Sequence, residues 1–144
     1  MKFRKARLQD APLLAQLNHQ LIQDEGHSNP ATVHELTGRM RQWLETLYIG
    51  IIFEDEKGVI GYALYQDEPA QIYLRQFFII RERRRMGLGR QAMNLLFTQI
   101  WPGDRRLTVS ALARNERALA FWRAMGYTDY SLTLEINPRI NLRG

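Results

Sequence analysis

The chain has no cysteine, which excludes disulfides, thiolate metal sites and a cysteine nucleophile. It has no apolar run of about 18 residues, so no membrane-spanning helix is expected. The start, Met-Lys-Phe-Arg-Lys-Ala-Arg, lacks the apolar segment of a secretory signal, and a cytoplasmic protein without a membrane partner is expected. Histidine is scarce, and His19, His27 and His34 are too scattered for a metal site. No G-x-x-x-x-G-K-[ST] occurs, which argues against a nucleotide triphosphatase. Repeats, linkers and low-complexity segments are also absent.

What is present is a 144-residue chain of ordinary globular composition, 45% hydrophobic and 24% charged. That length suits one domain spanning 1–144 with a core of its own. The net charge of +5 and a pI near 9.9 favour an anionic partner. Much of the excess lies between Arg81 and Arg90 rather than along a face with interleaved aromatics. A compact anionic ligand is therefore favoured over nucleic acid.

The element pattern begins with a strand at Phe3 to Arg7 and a helix capped by Asp10, with Leu13, Leu14, Leu17 and Leu21 on one face. Asn29-Pro30 opens a second helix carrying Val33, Leu36, Met40, Trp43, Leu44 and Leu47. Tyr48 to Glu54, Val59 to Tyr65 and Ile72 to Ile80 read as three successive antiparallel strands. Leu88, Ala92, Leu95, Leu96 and Ile100 then mark the core face of a helix that ends at Trp101-Pro102-Gly103-Asp104. Leu107 to Leu112 is expected as a strand parallel to the one before that helix. Asn115 caps a further helix stopped by Gly126, and Ser131 to Ile136 alternates as a closing strand. The order is β-α-α-β-β-β-α-β-α-β. It predicts an α/β (α+β) fold with a mixed, mostly antiparallel sheet of six to seven strands and helices on both faces.

The segment Phe77 to Ala92 passes from apolar strand through four arginines in the five positions Arg81 to Arg85, turns on Gly87 and Gly89, and becomes an amphipathic helix. A turn feeding a helix N-terminus presents unpaired N–H groups and the positive end of the dipole to an anion. Gly87-Leu88-Gly89-Arg90-Gln91-Ala92 also satisfies the dinucleotide pattern G-x-G-x-x-A. That fingerprint needs an acidic residue at the end of the next strand, and Leu107 to Leu112 offers none.

Arg84-Arg85-Met86-Gly87-Leu88-Gly89 matches R-x-x-G-x-G and resembles the pyrophosphate-binding motif of the GNAT acyltransferases, the superfamily that uses acetyl-CoA. Asn115-Glu116-Arg117-Ala118-Leu119-Ala120-Phe121-Trp122-Arg123-Ala124-Met125-Gly126-Tyr127 is similar to that family's N-x-x-A-x-x-F-Y-x-x-x-G-F segment. The opening Arg4-Lys5-Ala6-Arg7-Leu8-Gln9-Asp10 is similar to its R-x-A-x-x-x-D start. The element order also resembles the GNAT fold over essentially the whole chain.

The resemblance implies transfer of an acetyl group from acetyl-CoA to a primary amine, small molecule or peptide, in a ternary complex and without a metal. It implies that backbone N–H groups across Arg84, Arg85, Met86, Gly87, Leu88, Gly89 and Arg90 hold the pyrophosphate. The strand edge at Phe77, Ile79 and Arg81 would pair with the pantetheine arm, and the Phe77 N–H would polarise the thioester carbonyl. Asn115 would cap its helix and reach the same arm. Many members pair as dimers, so a homodimer is compatible.

This chain departs from the family at its catalytic positions. Trp122 stands where the family's Tyr acts as general acid, and an indole N–H donates a hydrogen bond but releases no proton. Tyr127 and Tyr130 are alternative acids. Tyr73 occupies the strand position where some members carry a glutamate base. By strict alternation Tyr73, Arg75, Phe77 and Ile79 would share one face, with Arg75 either paired or lining the cleft. Glu25 and His27, between the first two helices, are the remaining candidate bases. A GNAT-fold module that binds acyl-CoA without catalysing transfer is the rival reading, supported by the missing tyrosine and strand carboxylate.

Overall fold

A computed structural model describes residues 1–26 and 29–139. His27, one of the candidate bases, lies outside the described residues. The chain divides into two compact units, the first Met1–Ser110 and the second beginning at Ala111.

The first unit is a sheet of five strands in sequential order: β1 (Lys2–Lys5), β2 (Tyr48–Asp55), β3 (Gly58–Asp67), β4 (Gln71–Ile79) and β5 (Arg106–Val109). The first four strands pair antiparallel, and β5 runs parallel to β4. The sheet is thus mixed and mostly antiparallel, as the pattern predicts. A strand, helix and strand in succession return the chain parallel to itself, and the expected placement of the last of these strands is met.

Helices α1 (Ala11–Asp24) and α2 (Val33–Glu45) cover one face of this sheet. There Leu14, Leu17 and Met40 pack on Ile52, Tyr62, Leu64 and Phe78 in one buried cluster. Helix α3 (Leu88–Leu95) continues as a π-type turn, Leu96–Ile100, on the other face, where Trp101 meets the ring of Tyr65 at 5.4 Å. Burying both faces explains the run of apolar residues from Ile60 to Tyr65, most of them wholly covered. Gly61 is required by close approach, because a Cβ there would overlap the carbonyl of Phe78 on the neighbouring strand.

Two helix starts differ from expectation in their local chemistry. Asp10 precedes α1, but its carboxylate accepts from the Arg7 N–H at 2.8 Å and forms a fork with Arg4 at 2.9 and 3.1 Å. It closes the short 3-10 turn Leu8–Asp10 and ties it to β1 rather than capping α1. The R-x-A-x-x-x-D spacing therefore has a physical basis in this ion pair. The hydrogen bond from Arg4 overcomes the desolvation of Asp10 and holds its carboxyl below the ordinary range. The second helix begins at Val33, where Thr32 and Glu35 form a capping box. Asn29 instead accepts from the Ala31 N–H at 3.0 Å, a local turn that leads into the box.

The second unit contains α4 (Glu116–Ala124), and among its described residues it has no strand. Asn115 caps this helix as expected, its Oδ1 accepting from the Ala118 N–H at 3.1 Å. Gly126 takes a left-handed φ of 106° just past the end. Ser131 to Ile136, expected as a closing strand, is irregular. The described sheet has five strands in place of the six to seven expected. Alternating Leu132, Leu134 and Ile136 supply a two-sided pattern, but alternation alone does not make a strand, which also needs a ladder partner.

Candidate active site

β5 pairs with β4 only from Gln71 to Leu74, and residues 75–79 of β4 run on past the end of that ladder. Phe77 lies on this stretch, opposite Ala63 of β3, with its ring edge toward Phe53 at 6.3 Å. Ile79 is opposite Gly61 at the strand end.

A bulge splits β4 in two. Leu64 pairs with Gln76 and Tyr65 pairs with Leu74, so Arg75 is an extra residue. The alternation expected for Tyr73, Arg75, Phe77 and Ile79 therefore fails. Phe77 and Ile79 face the α3 side, whereas Tyr73, opposite Gln66, faces the α1 and α2 side. The Tyr73 hydroxyl lies 3.3 Å from Ser110 Oγ, a hydrogen bond within the first unit.

After β4, Ile80 N–H donates to Ile60 O at 2.9 Å and the chain enters a 3-10 turn, Arg81–Arg83. Its arginines are held one by one. Arg81 donates to Asp24 at 2.6 Å, and Arg84 reaches the same carboxylate while its Nε donates to Ile79 O at 2.9 Å. Arg84 also lies over the Phe78 ring at 5.1 Å. Burial alone would raise the Asp24 carboxyl, but the bonds from Arg84 and Arg81 outweigh it and leave it below the ordinary range. Arg83 turns away to a bidentate pair with Asp55 at the end of β2, which brings that carboxyl down to about 2.

The turn itself uses two left-handed residues, Arg85 with φ 64° and Gly87 with φ 72°. Glycine makes the second inexpensive, and the first is a strained position for arginine. Exposed Met86 lies between them. Gly87 is the N-cap of α3 and, having no side chain, provides no side-chain cap. The first intrahelical bond is Gln91 N–H to Gly87 O, so the N–H groups of Leu88, Gly89 and Arg90 precede the helical ladder. Backbone donors and a helix dipole of this kind are what an anion requires.

Glu25 is the C-cap just past α1, its N–H donating to Leu21 O at 3.0 Å, and its charge bears on the buried Tyr62 hydroxyl. Burial chiefly, and Glu25 in addition, push that hydroxyl up. Tyr62 donates to Gln76 Oε1 at 2.9 Å. Arg39 and Arg75 lie nearby over the ring of Trp43, at 4.6 and 4.7 Å. Sequence reasoning missed Arg39, which sits in the polar part of a helical pattern and reads as solvated. No spacing rule connects Asp24 to Arg81 across the intervening strands.

In the second unit Trp122 stacks edge-on with Phe121 at 4.9 Å and with Tyr127 at 5.5 Å. Burial pushes the Tyr127 hydroxyl up to about 12. No group of three or more potential metal ligands occurs among the described residues. No helix among them is long and apolar enough to cross a membrane.

Residues 15–127 match the acetyltransferase (GNAT) family, a span that includes the turn from Arg84 to Arg90 and the Asn115 segment. The chain belongs to this family. Among solved structures, a mutant of the BH1408 protein from Bacillus halodurans is 19% identical, with 94% of this chain and 98% of that one covered and a TM-score of 0.77. A predicted acetyltransferase with acetyl-CoA from Clostridium acetobutylicum is 19% identical, with 94% and 95% covered and a TM-score of 0.72. Aminoglycoside N-acetyltransferase AAC(6')-Iy in complex with CoA is 14% identical, with 96% and 94% covered and a TM-score of 0.75. At these identities the likeness is one of fold. No curated protein matches the sequence. The GNAT chain is thus established by its family match, and its α/β architecture agrees with the GNAT neighbours.

Proposed function

We propose that this GNAT chain, as one domain over 1–144, transfers an acetyl group from acetyl-CoA to a primary amine by direct attack. The observation that carries this reading is the loop from Arg84 to Arg90. Its two left-handed residues lead into a helix start with unsatisfied N–H groups, which fits a pyrophosphate. Leu88, Gly89 and Arg90 would bind through their N–H groups, and Arg81, Arg84 and Arg85 would supply charge. Ile79 and Phe77 would pair with the pantetheine arm along β4, and Asn115 would add a contact beyond its cap.

In the transfer step the amine nitrogen bonds to the thioester carbon, and the carbonyl oxygen takes the electron pair as an oxyanion. The Phe77 N–H would stabilise that oxyanion as a fixed donor. Collapse re-forms the carbonyl, breaks the carbon–sulfur bond and releases CoA thiolate. The ammonium proton leaves to Glu25 or to water, with Tyr73 as a second candidate relay through its hydroxyl. Trp122 would donate a hydrogen bond to the thiolate without protonating it, and water or Tyr127 supplies the proton. Much of the rate would come from positioning, since a neutral amine is already nucleophilic.

The test is calorimetric titration with CoA, followed by thiol release from acetyl-CoA in the presence of an amine panel. CoA binding with amine-dependent thiol release is the expected result, and Gly89→Trp should abolish the binding. Tight CoA binding with no release from any amine would replace this reading by the non-catalytic acyl-CoA-binding module.

A further inference from the structure

Arg75 and Arg39 differ from the arginines that are held in ion pairs. Arg4, Arg81, Arg83, Arg84, Arg105 and Arg123 each meet a carboxylate within the first or second unit. Arg75 and Arg39 meet none among the described residues, yet they share the face of one ring. The bulge delivers Arg75 to the α2 side, over Trp43 at 4.7 Å and Tyr48 at 5.8 Å, with Nη1 donating to the Tyr48 hydroxyl at 3.2 Å. Arg39, one turn before Trp43 on α2, lies over the same indole at 4.6 Å. Its Nε is buried without an acceptor among the described residues. Desolvation and the charge of Arg75 both work against the Arg39 cation.

Two like charges are therefore gathered on an aromatic platform, with no carboxylate in ion-pair contact with either among the described residues. Cation–π attraction fixes the guanidinium planes but does not neutralise them. The local polar groups add donors, because Gln76 already uses its Oε1 on Tyr62 and keeps its amide N–H groups. An arrangement of this kind suits a carboxylate or phosphate oxygen, which would supply the missing acceptor and relieve the repulsion. Its position is informative too. Arg75 and Gln76 immediately precede Phe77 on β4, while the charge of Glu25 acts on the neighbouring Tyr62 hydroxyl.

We propose that Arg39 and Arg75, held over Trp43, bind an anionic group on the acceptor, so that the acceptor is a primary amine bearing a carboxylate or a phosphate. This deepens and rests on the transfer reading given above. The anion would dock on the two arginines with the amine directed toward Glu25 and the Phe77 position. A polyamine would meet two cations where it needs carboxylates.

The experiment has a kinetic arm and a binding arm on the full chain. Thiol release from acetyl-CoA is followed with phenylalanine against phenylalaninamide, O-phosphoethanolamine against ethanolamine, and spermidine. Binding of N-acetylphenylalanine and its amide to the CoA-saturated protein is measured by calorimetry. The anionic member of at least one pair should be preferred at least tenfold, and the pair that shows it distinguishes carboxylate from phosphate. Arg75→Ala and Arg39→Gln should each remove most of that discrimination, and Arg75→Glu should shift preference toward spermidine. Arg75 is exposed, so its variants should keep the fold even where Arg39→Gln does not. Thiol release without anion preference, or a preference that survives Arg75→Glu, overturns the anion site and leaves transfer standing. Arginine-dependent binding of N-acetylphenylalanine with no thiol release from any amine sustains the anion site and overturns transfer.

Discussion

Asp24, the last residue of α1, accepts from Arg81 Nη2 at 2.6 Å, and the same carboxylate takes Arg84. The end of a helix on one side of the sheet is thereby tied to the turn that leads into α3. The carboxylate occupies two cations that the GNAT reading assigns to CoA phosphates, so an incoming phosphate and Asp24 compete for the same donors.

Asp24→Asn should therefore tighten CoA binding several-fold, with the gain shrinking as salt rises, measured by calorimetry at two ionic strengths. The same variant should lose stability of about 1 kcal/mol, because the tie is lost. A fall in CoA affinity would mean that Asp24 positions the arginines rather than competing for them.

The Arg83 and Asp55 pair predicts a defined acid response. The Asp55 carboxyl is held at about 2, chiefly by the hydrogen bond from Arg83. A depressed folded-state value means that the stabilisation is complete above the ordinary carboxylate range and fades as pH falls from about 4 to about 2. Denaturant melts should show Asp55→Asn less stable than the parent at pH 6, with the gap closing toward pH 2.

Gly61→Ala should be among the most damaging single-methyl changes, because the added carbon meets backbone that cannot rotate away. A loss of about 3 kcal/mol or more is expected. Gly87→Ala is milder. Its Cβ meets nothing within 4 Å, and only the left-handed φ of 72° penalises it, by about 1 kcal/mol. Urea denaturation of the two variants should rank them in that order.

Tyr127→Phe should lower turnover less than about threefold, since a phenol raised to about 12 is a poor proton donor to a departing thiolate at neutral pH. Trp122→Phe should cost less than about tenfold if its ring mainly packs with Phe121 and Tyr127. Comparison of kcat in the two variants, with CoA affinity as the control, checks both.

Local chemistry was legible from the chain wherever it was decided locally. Asn115 caps because its side chain reaches a backbone N–H three residues on, and Gly87 turns because only its own φ is involved. The parallel return of β5 followed from the strand, helix and strand order. What stayed hidden depends on partners distant in sequence. The bulge at Arg75 changes which side Tyr73 faces, yet nothing near Arg75 marks an inserted residue. Leu132, Leu134 and Ile136 alternate as a strand would, but alternation does not supply a neighbour to pair with. Nothing next to Asp24 in the sequence marks the two arginines, Arg81 and Arg84, that the fold brings to it. The cluster over Trp43 is hidden most, because Arg39, Trp43, Arg75 and Gln76 come together from a helix and a strand.

The far end of α3 has an implication for how ligand energy would be felt. Trp101 N–H closes the π-type turn on Leu96 O at 2.8 Å, and the indole is wedged against Tyr65 and Phe97. The opposite end, at Gly87, has no side-chain cap. The helix is a cantilever clamped at Trp101, and a phosphate gripping its tip would act at the end of the lever where movement is least resisted. Amide exchange should accordingly be slowest near Leu96 and fastest at the first turn, with CoA slowing the tip far more than the clamp.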